Sequence, residues 1–220
     1  MSWLIGLAAA AWTLDDIERV ELSQDCGTVR AESWPAETVE LHAEGMVVES
    51  EGTLVIAPTG CSDTVLRVPA ATALLIQTQS ATVVVLGLDS VQVATITGDI
   101  TTRATESAQL ASVSGDIDLS MSGGEAHLMT VSGDIRANGT AGSLTVQTTA
   151  GTVRFDGTAR GPITLTSHSG DLLVTVDSNV TVSATSSKGD VRLPSISLEE
   201  ASVPVNLFTF SGDAVVETRP

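Results

Sequence analysis

Seven copies of one short phrase recur along the chain: a small polar residue in most of them, then Gly, usually Asp, then an aliphatic. They read Thr97-Gly98-Asp99-Ile100, Ser114-Gly115-Asp116-Ile117, Ser132-Gly133-Asp134-Ile135, Ala150-Gly151-Thr152-Val153, Ser169-Gly170-Asp171-Leu172, Lys188-Gly189-Asp190-Val191 and Ser211-Gly212-Asp213-Ala214. Subtracting successive glycine positions gives steps of 17, 18, 18, 19, 19 and 23. A period near 18 is too short for a helical-hairpin repeat or a propeller blade but suits one coil of a β-solenoid, in which each repeat buries its apolar face only by stacking on its neighbours.

The columns around the glycine agree. The seventh residue before it is Val91, Ala108, Ala126, Leu144, Ile163, Val182 or Val205, and the fifth is Val93, Leu110, Leu128, Val146, Leu165, Ala184 or Leu207. Two residues after it stands Ile100, Ile117, Ile135, Val153, Leu172, Val191 or Ala214. A spacing of two within each arm is the period of a strand, whose alternate side chains share a face. The expected fold is therefore all-β, a parallel β-helix or β-solenoid with coils of about 17–19 residues, each bent at its glycine. Gly98, Gly115, Gly133, Gly151, Gly170, Gly189 and Gly212 are expected as structural corners with positive φ. The third residue before each Gly is always Ser or Thr, from Thr95 to Thr209, and reads as a hydroxyl ladder passing hydrogen bonds from rung to rung. Second turns are expected at Ser122-Gly123-Gly124, Asn138 to Gly142, Asp156-Gly157 with Gly161-Pro162, and Asp177-Ser178-Asn179.

Only 3% of the chain is aromatic and Tyr is absent, so small β-branched residues must fill a narrow interior. Residues 81–220 carry the regular repeats. Residues 12–80 hold looser versions in Gly27-Thr28-Val29 and Gly52-Thr53-Leu54-Val55-Ile56, read as atypical initial coils of the same domain. The apolar run of residues 1–11 ends in small residues and reads as a signal peptide, too short to span a bilayer. Cys26 and Cys61, the only cysteines, then permit one disulfide. Pro194 to Pro204 reads as an insertion that lengthens the last step to 23, leaving Ala214-Val215-Val216 as an apolar terminal rung.

A net charge of −17 opposes nucleic acid or anionic lipid as a partner, since phosphates call for a surplus of Lys and Arg. Asp99, Asp116, Asp134, Asp171, Asp190 and Asp213 fall in one column. Carboxylates about 4.8 Å apart repel by roughly 0.9 kcal/mol in water, so a Ca²⁺ ladder is conceivable; with one carboxylate per coil, the plainer reading has each Asp capping its own turn. His42, His127 and His168 do not cluster, no Ser stands in a nucleophile elbow, and no catalytic residue, cofactor site or other metal site is expected. Arg136, Arg154 and Arg192 occupy equivalent outward positions and could form a small basic stripe.

The phrases Val113-Ser114-Gly115-Asp116-Ile117 and Val131-Ser132-Gly133-Asp134-Ile135, with the lead-in Gly27-Thr28-Val29, Glu44-Gly45, Thr53 to Ile56 and Leu66-Arg67-Val68-Pro69, resemble the bacterial "putative adhesin" family of otherwise unknown function. The resemblance covers most of the chain and implies a stacked-coil domain at an exported or cell-surface location, with no catalytic residue. Thr152, Ala150, Lys188 and Ala214 depart from the pattern. The reading that follows is a non-enzymatic, exported interaction module, periplasmic, secreted or at the surface, without a transmembrane span and binding an envelope protein or glycan. Alternatives are a bactofilin-like scaffold that self-associates end to end and, further off, a polysaccharide-active β-helix enzyme.

Overall fold

The computed structural model describes residues 10–14, 17–43, 45–177, 180–194 and 203–219. Every element in it is a strand. The chain opens with β1 (Ala10–Leu14), the long β2 (Arg19–Ser33), β3 (Val39–Ala43), β4 (Gly45–Ser50), β5 (Thr53–Pro58), β6 (Thr64–Val68) and the long β7 (Ala73–Leu86). Paired short strands follow, two to a coil: β8 (Ser90–Thr95) with β9 (Ile100–Thr105), β10 (Ser107–Ser112) with β11 (Ile117–Ser122), and β12 (Glu125–Ser132) with β13 (Ile135–Ala141). The series continues through β14 (Ser143–Ala150) with β15 (Val153–Ala159), and β16 (Ile163–Ser169) with β17 (Leu172–Val176). It ends with β18 (Val180–Ser186) and β19 (Val191–Arg192), then β20 (Val203–Ser211) and β21 (Ala214–Thr218).

Coil stacks on coil in parallel register. Leu110 lies between Val93 and Leu128, and Ile117 between Ile100 and Ile135. The inward columns form one apolar core in which even Phe155, the largest buried side chain, is fully enclosed. β-branched and aliphatic side chains suit this geometry because like residues repeat along the stacking direction at the inter-strand spacing.

At both ends the stacking order departs from chain order. At the C-terminal end, β20 lies between β16 and β18, and β21 between β17 and β19. The last coil in the chain is thus the penultimate layer, and Ala214-Val215-Val216 is not the terminal rung: Ala214 and Val216 are buried, with Ala214 set between Leu172 and Val191. Most of the expected insertion, 195–202, lies outside the described residues. At the N-terminal end, β2 is held between β7 on one side and β5 and β6 on the other. Antiparallel strands then cover β5 and β6: β4 pairs with β5, β3 with β6, and β1 with β3. Gly52 therefore belongs to a hairpin turn with Glu51 and not to a coil corner; Leu54 aligns with Val20 and so with the column of Leu74 and Val91. Of the expected signal peptide, residues 1–9 lie outside the described residues, and Ala10 and Ala11 belong to β1.

The expected turn at Asn138 to Gly142 is also shorter than read. β13 runs to Ala141, because Gly139 and then Gly157 carry the strand through a second place where neighbouring backbones nearly touch.

The outer N-terminal coil is fastened to β2 by polar and covalent links. Cys26 and Cys61 are joined as a disulfide with Cα atoms 4.6 Å apart. The buried Gln24 amide donates to the carbonyls of Cys26 and Ser62, both at 2.6 Å, and its oxygen accepts from the Thr64 hydroxyl at 2.8 Å. Arg67 of β6 bridges Glu32 of β2 and Glu40 of β3, and its guanidinium holds the Glu32 carboxyl below the usual carboxylate range.

The corner glycines have a shared reason that differs from the expected one. Of the seven, only Gly151 and Gly212 have positive φ. A Cβ on Gly115 would lie 2.1 Å from the Gly98 carbonyl oxygen, one on Gly133 would lie 2.2 Å from that of Gly115, and Gly170 and Gly189 meet the same obstacle at 2.0 Å. Close approach of successive backbones, more than a left-handed conformation, excludes side chains here. Gly115→Ala is therefore expected to cost about 3 kcal/mol or more in urea denaturation, whereas Gly60→Ala, at a positive φ but with open space around it, should cost only about 1–2 kcal/mol. Replacing both cysteines by Ser releases a cross-link spanning 35 residues and should lower stability by roughly 2–4 kcal/mol under oxidising conditions; equal unfolding midpoints for the two proteins would show that the bridge contributes nothing.

Candidate functional site

Three polar columns line the glycine corner, and each has a different job. The hydroxyls three residues before the glycine accept from their own corner in three coils: the Gly98 N–H donates to the buried Thr95 Oγ1 (3.1 Å), Gly115 to the buried Ser112 Oγ (2.8 Å) and Gly189 to the half-buried Ser186 Oγ (2.9 Å). Near the C-terminal end they also donate across coils, Ser186 to the Gly212 carbonyl (2.8 Å) and Thr209 to that of Gly170 (3.1 Å). The expected hydroxyl-to-hydroxyl ladder is not formed: in these coils the hydroxyls bond the corner backbone instead, whereas the buried Thr130 and Ser167 hydroxyls find no protein partner and the Gly133 and Gly151 amides donate to the carbonyls of Ala150 and Ser169. The residues just before the glycine, Thr97 and Ser114, donate to the carbonyls of Gln79 and Ile96 in the preceding coil, both at 3.3 Å.

The aspartates do form a column, and each reaches past its own turn. The Asp116 N–H donates to Asp99 Oδ1 (3.0 Å), Asp134 to Asp116 Oδ1 (2.8 Å), and Thr152 to Asp134 Oδ1 (2.9 Å). Beyond Thr152 the series resumes, with the Asp213 N–H on Asp171 Oδ1 (2.8 Å) and the Asp190 N–H on Asp213 Oδ1 (2.9 Å). Asp63, missed in the sequence because no glycine precedes it, holds the same position in the outer N-terminal coil and accepts from the Thr28 N–H (3.1 Å). Every such bond points the same way along the stack, so each of these accepting carboxylates spends one oxygen on the next coil's backbone, and the series ends at Asp190. Among the described residues no three carboxylate, imidazole or thiol groups come together as a metal site.

The remaining candidate groups are dispersed. Arg136 and Arg154 are neighbours, but Leu173 and Val215 separate them from Arg192, so the basic stripe is broken. Arg136 and Arg192 instead lie 3.7 and 3.6 Å from Asp134 and Asp190. His127 faces outward, and His168 stacks parallel on Phe210 with ring centroids 5.1 Å apart, while the Lys188 ammonium lies 4.8 Å from the same ring.

One broad surface stands out by its charge. The coil half before the glycine presents three outward columns, two, four and six residues ahead of it. In stacking order from β7 through β8, β10, β12, β14, β16 and β20 to β18, these columns hold Gln, Thr, Ser, Asn, Ala, Leu, Ile, Val, Met, Phe and two His, and no Asp, Glu, Lys or Arg. Ile96, Val113, Met129, Val131, Phe208 and Phe210 each expose 44–54% of their surface there. Two shallow depressions of about 230 and 360 Å³ lie on it, meeting at Met129 and Gln147. The opposite face carries the Asp column together with Asp118, Arg136, Arg154 and Glu217. Once the inward columns are assigned, the uncharged columns can be read from the repeat, since they are simply the residues between.

A family model described as Toastrack DUF4097 matches residues 46–217. The chain belongs to that family. Among solved structures, a "putative adhesin" from Bacteroides fragilis NCTC 9343 is similar at 11% identity and TM-score 0.55, covering 96% of this chain and 95% of that one. A "putative cell adhesion protein" from Clostridium sporogenes ATCC 15579 is matched at 9% identity and TM-score 0.32, over 96% and 98% of the two chains. No curated protein matches the sequence. The Toastrack chain is all-β and solenoidal, and the Bacteroides fragilis structure is similar to it in fold.

The Asp column yields a direct test. Asp116→Ala removes the acceptor of the Asp134 amide and should cost about 1–2 kcal/mol, with faster hydrogen exchange at the Asp134 N–H; Asp116→Asn, which keeps the accepting oxygen, should restore most of both.

Proposed function

We propose that this Toastrack domain is an exported, non-enzymatic interaction module that engages an uncharged partner surface, protein or glycan, through the face running from β7 to β18. The observation that supports this is that the three outward columns of that face hold no Asp, Glu, Lys or Arg in a chain of net charge −17, with the Lys188 ammonium reaching Phe210 only at the C-terminal corner. Charged side chains hold water strongly and must be desolvated when a partner docks, so a face without them meets a neutral partner at low cost, and protein interfaces are depleted of charge at their centres. Eight strands about 4.8 Å apart and roughly six residues wide give about 700 Å², close to the ~800 Å² per partner of a standard interface. Exposed Met, Val and Phe supply apolar contact; Gln, Thr and Asn supply hydrogen bonds. The adhesin names carried by structures of similar fold agree with such a role. Among the described residues, no helix is long and apolar enough to cross a membrane.

The test is retention on envelope preparations from which anionic polymer has been removed. Val131→Glu with Thr149→Glu, both exposed, should reduce retention at least tenfold without altering the melting temperature. Asp118→Arg on the opposite face should leave it unchanged. Equal loss from both faces, or from neither, would refute the assignment, and hydrolysis of a glycan by the wild type would replace it with the enzyme reading.

A further inference from the structure

The two ends of the stack are finished differently. The N-terminal end is covered by the antiparallel strands β4, β3 and β1. At the other end, β18 and β19 have a ladder partner on one side only among the described residues. Their inward positions, buried in every layer beneath, are open here: Val191 is 41% and Leu193 48% exposed, and Val182 and Ala184 are only half-buried. The directional Asp column also stops here, so Asp190 has no coil above it to donate an amide.

We propose that this end is where two copies of the chain meet, tail to tail, in a closed two-fold dimer. Charge complementarity selects a second copy. Among the described residues the end layer carries Lys188, Asp190 and Arg192, two cations against one acid, so this layer itself adds no net negative charge to a contact between chains of net charge −17. β19 and the residue before it read Asp190-Val191-Arg192, acid, apolar, base. Laid antiparallel on itself about Val191, that triplet puts each Asp190 across from Arg192 of the second copy, an opposite-charge cross-strand pair on both sides of the axis. In the free chain, Asp190 and Arg192 are exposed and lie 3.6 Å apart, a weak surface contact easily exchanged for the intermolecular one. A two-fold axis perpendicular to the sheets continues both of them, covers Val191 and Leu193, and brings the two uncharged faces side by side in one plane. Because the two-fold contact uses the same layer on both copies, association through it closes at two and does not run on into a filament. The dimer is independent of the partner reading above, although it would make that binding bivalent.

Sedimentation velocity from 1 to 200 µM tests it. The wild type should pass from monomer to dimer and no further. Val191→Glu, at a position already exposed, should weaken dimerisation at least tenfold. Arg192→Asp alone should do the same, and the swap Asp190→Arg with Arg192→Asp, which remains self-complementary, should restore the dimer. Val131→Glu on the uncharged face should have no effect. A monomer at every concentration, assemblies larger than two, a dimer indifferent to Val191→Glu, or a swap that fails to rescue would each overturn the proposal.

Discussion

The near-contact of one coil's corner backbone with the next is the constraint from which the remaining features of this solenoid follow. Parallel strands must sit about 4.8 Å apart for their ladders to form, and at the corner that distance leaves no room for a Cβ above the preceding carbonyl. Glycine resolves the steric problem but weakens the corner, because it gives up side-chain packing and more conformational entropy than any other residue. The flanking residues compensate. A buried hydroxyl accepts the glycine amide, the preceding Ser or Thr donates down to a carbonyl, and the following Asp accepts from the coil above. The four-residue phrase and the hydroxyl three places ahead of its glycine are therefore one device for satisfying a tight corner whose own amides and carbonyls cannot all reach a ladder.

That device explains why the architecture was legible from spacing alone. The inward columns are set by period two within each arm and by the 17–19-residue repeat, and both are matters of counting. Reasons for individual residues were harder to read. Glycine is compatible with positive φ and with close approach, and only the position of the Gly98 carbonyl beneath Gly115 separates the two. Asp63 was invisible because Ser62 stands where most coils have Gly, as Ala81 does in the β7 coil.

Stacking order was not legible, and the cause lies in the repeat itself. Ser211-Gly212-Asp213-Ala214 satisfies the corner rules in any slot, so nothing in that phrase says whether its coil lies above or below the coil of Lys188-Gly189-Asp190-Val191. Burial decides between the arrangements. With β20 and β21 inside, Val205, Leu207, Ala214 and Val216 are covered on both sides, and the exposed layer is left with Ala184, Ser186 and a two-residue β19. The stretch of 23 residues between the last two glycines marks the place where the chain doubles back. The N-terminal end mirrors this, since β2 is likewise inserted beneath a coil that follows it in sequence and is pinned there by Gln24, the Cys26–Cys61 bridge and Arg67.

Such ends have a consequence for how the molecule can unravel and associate. A solenoid whose first and last coils were its outermost layers could fray one coil at a time, since each contacts only its neighbour. At the C-terminal end the outermost layer, β18 and β19, can leave only as an internal loop, because the chain beyond it, β20 and β21, stays paired with β16 and β17. The same inversion takes Val205, Leu207, Ala214 and Val216 away from the edge and leaves there a short, hydroxyl-rich layer bearing Lys188, Asp190 and Arg192. An edge of that kind is too poor in apolar surface to aggregate indiscriminately, yet its one self-complementary triplet can still distinguish a second copy from other strands. The acidic face carries the charge that keeps copies apart; the other face holds none in its three outward columns, which is why the proposed partner is placed there.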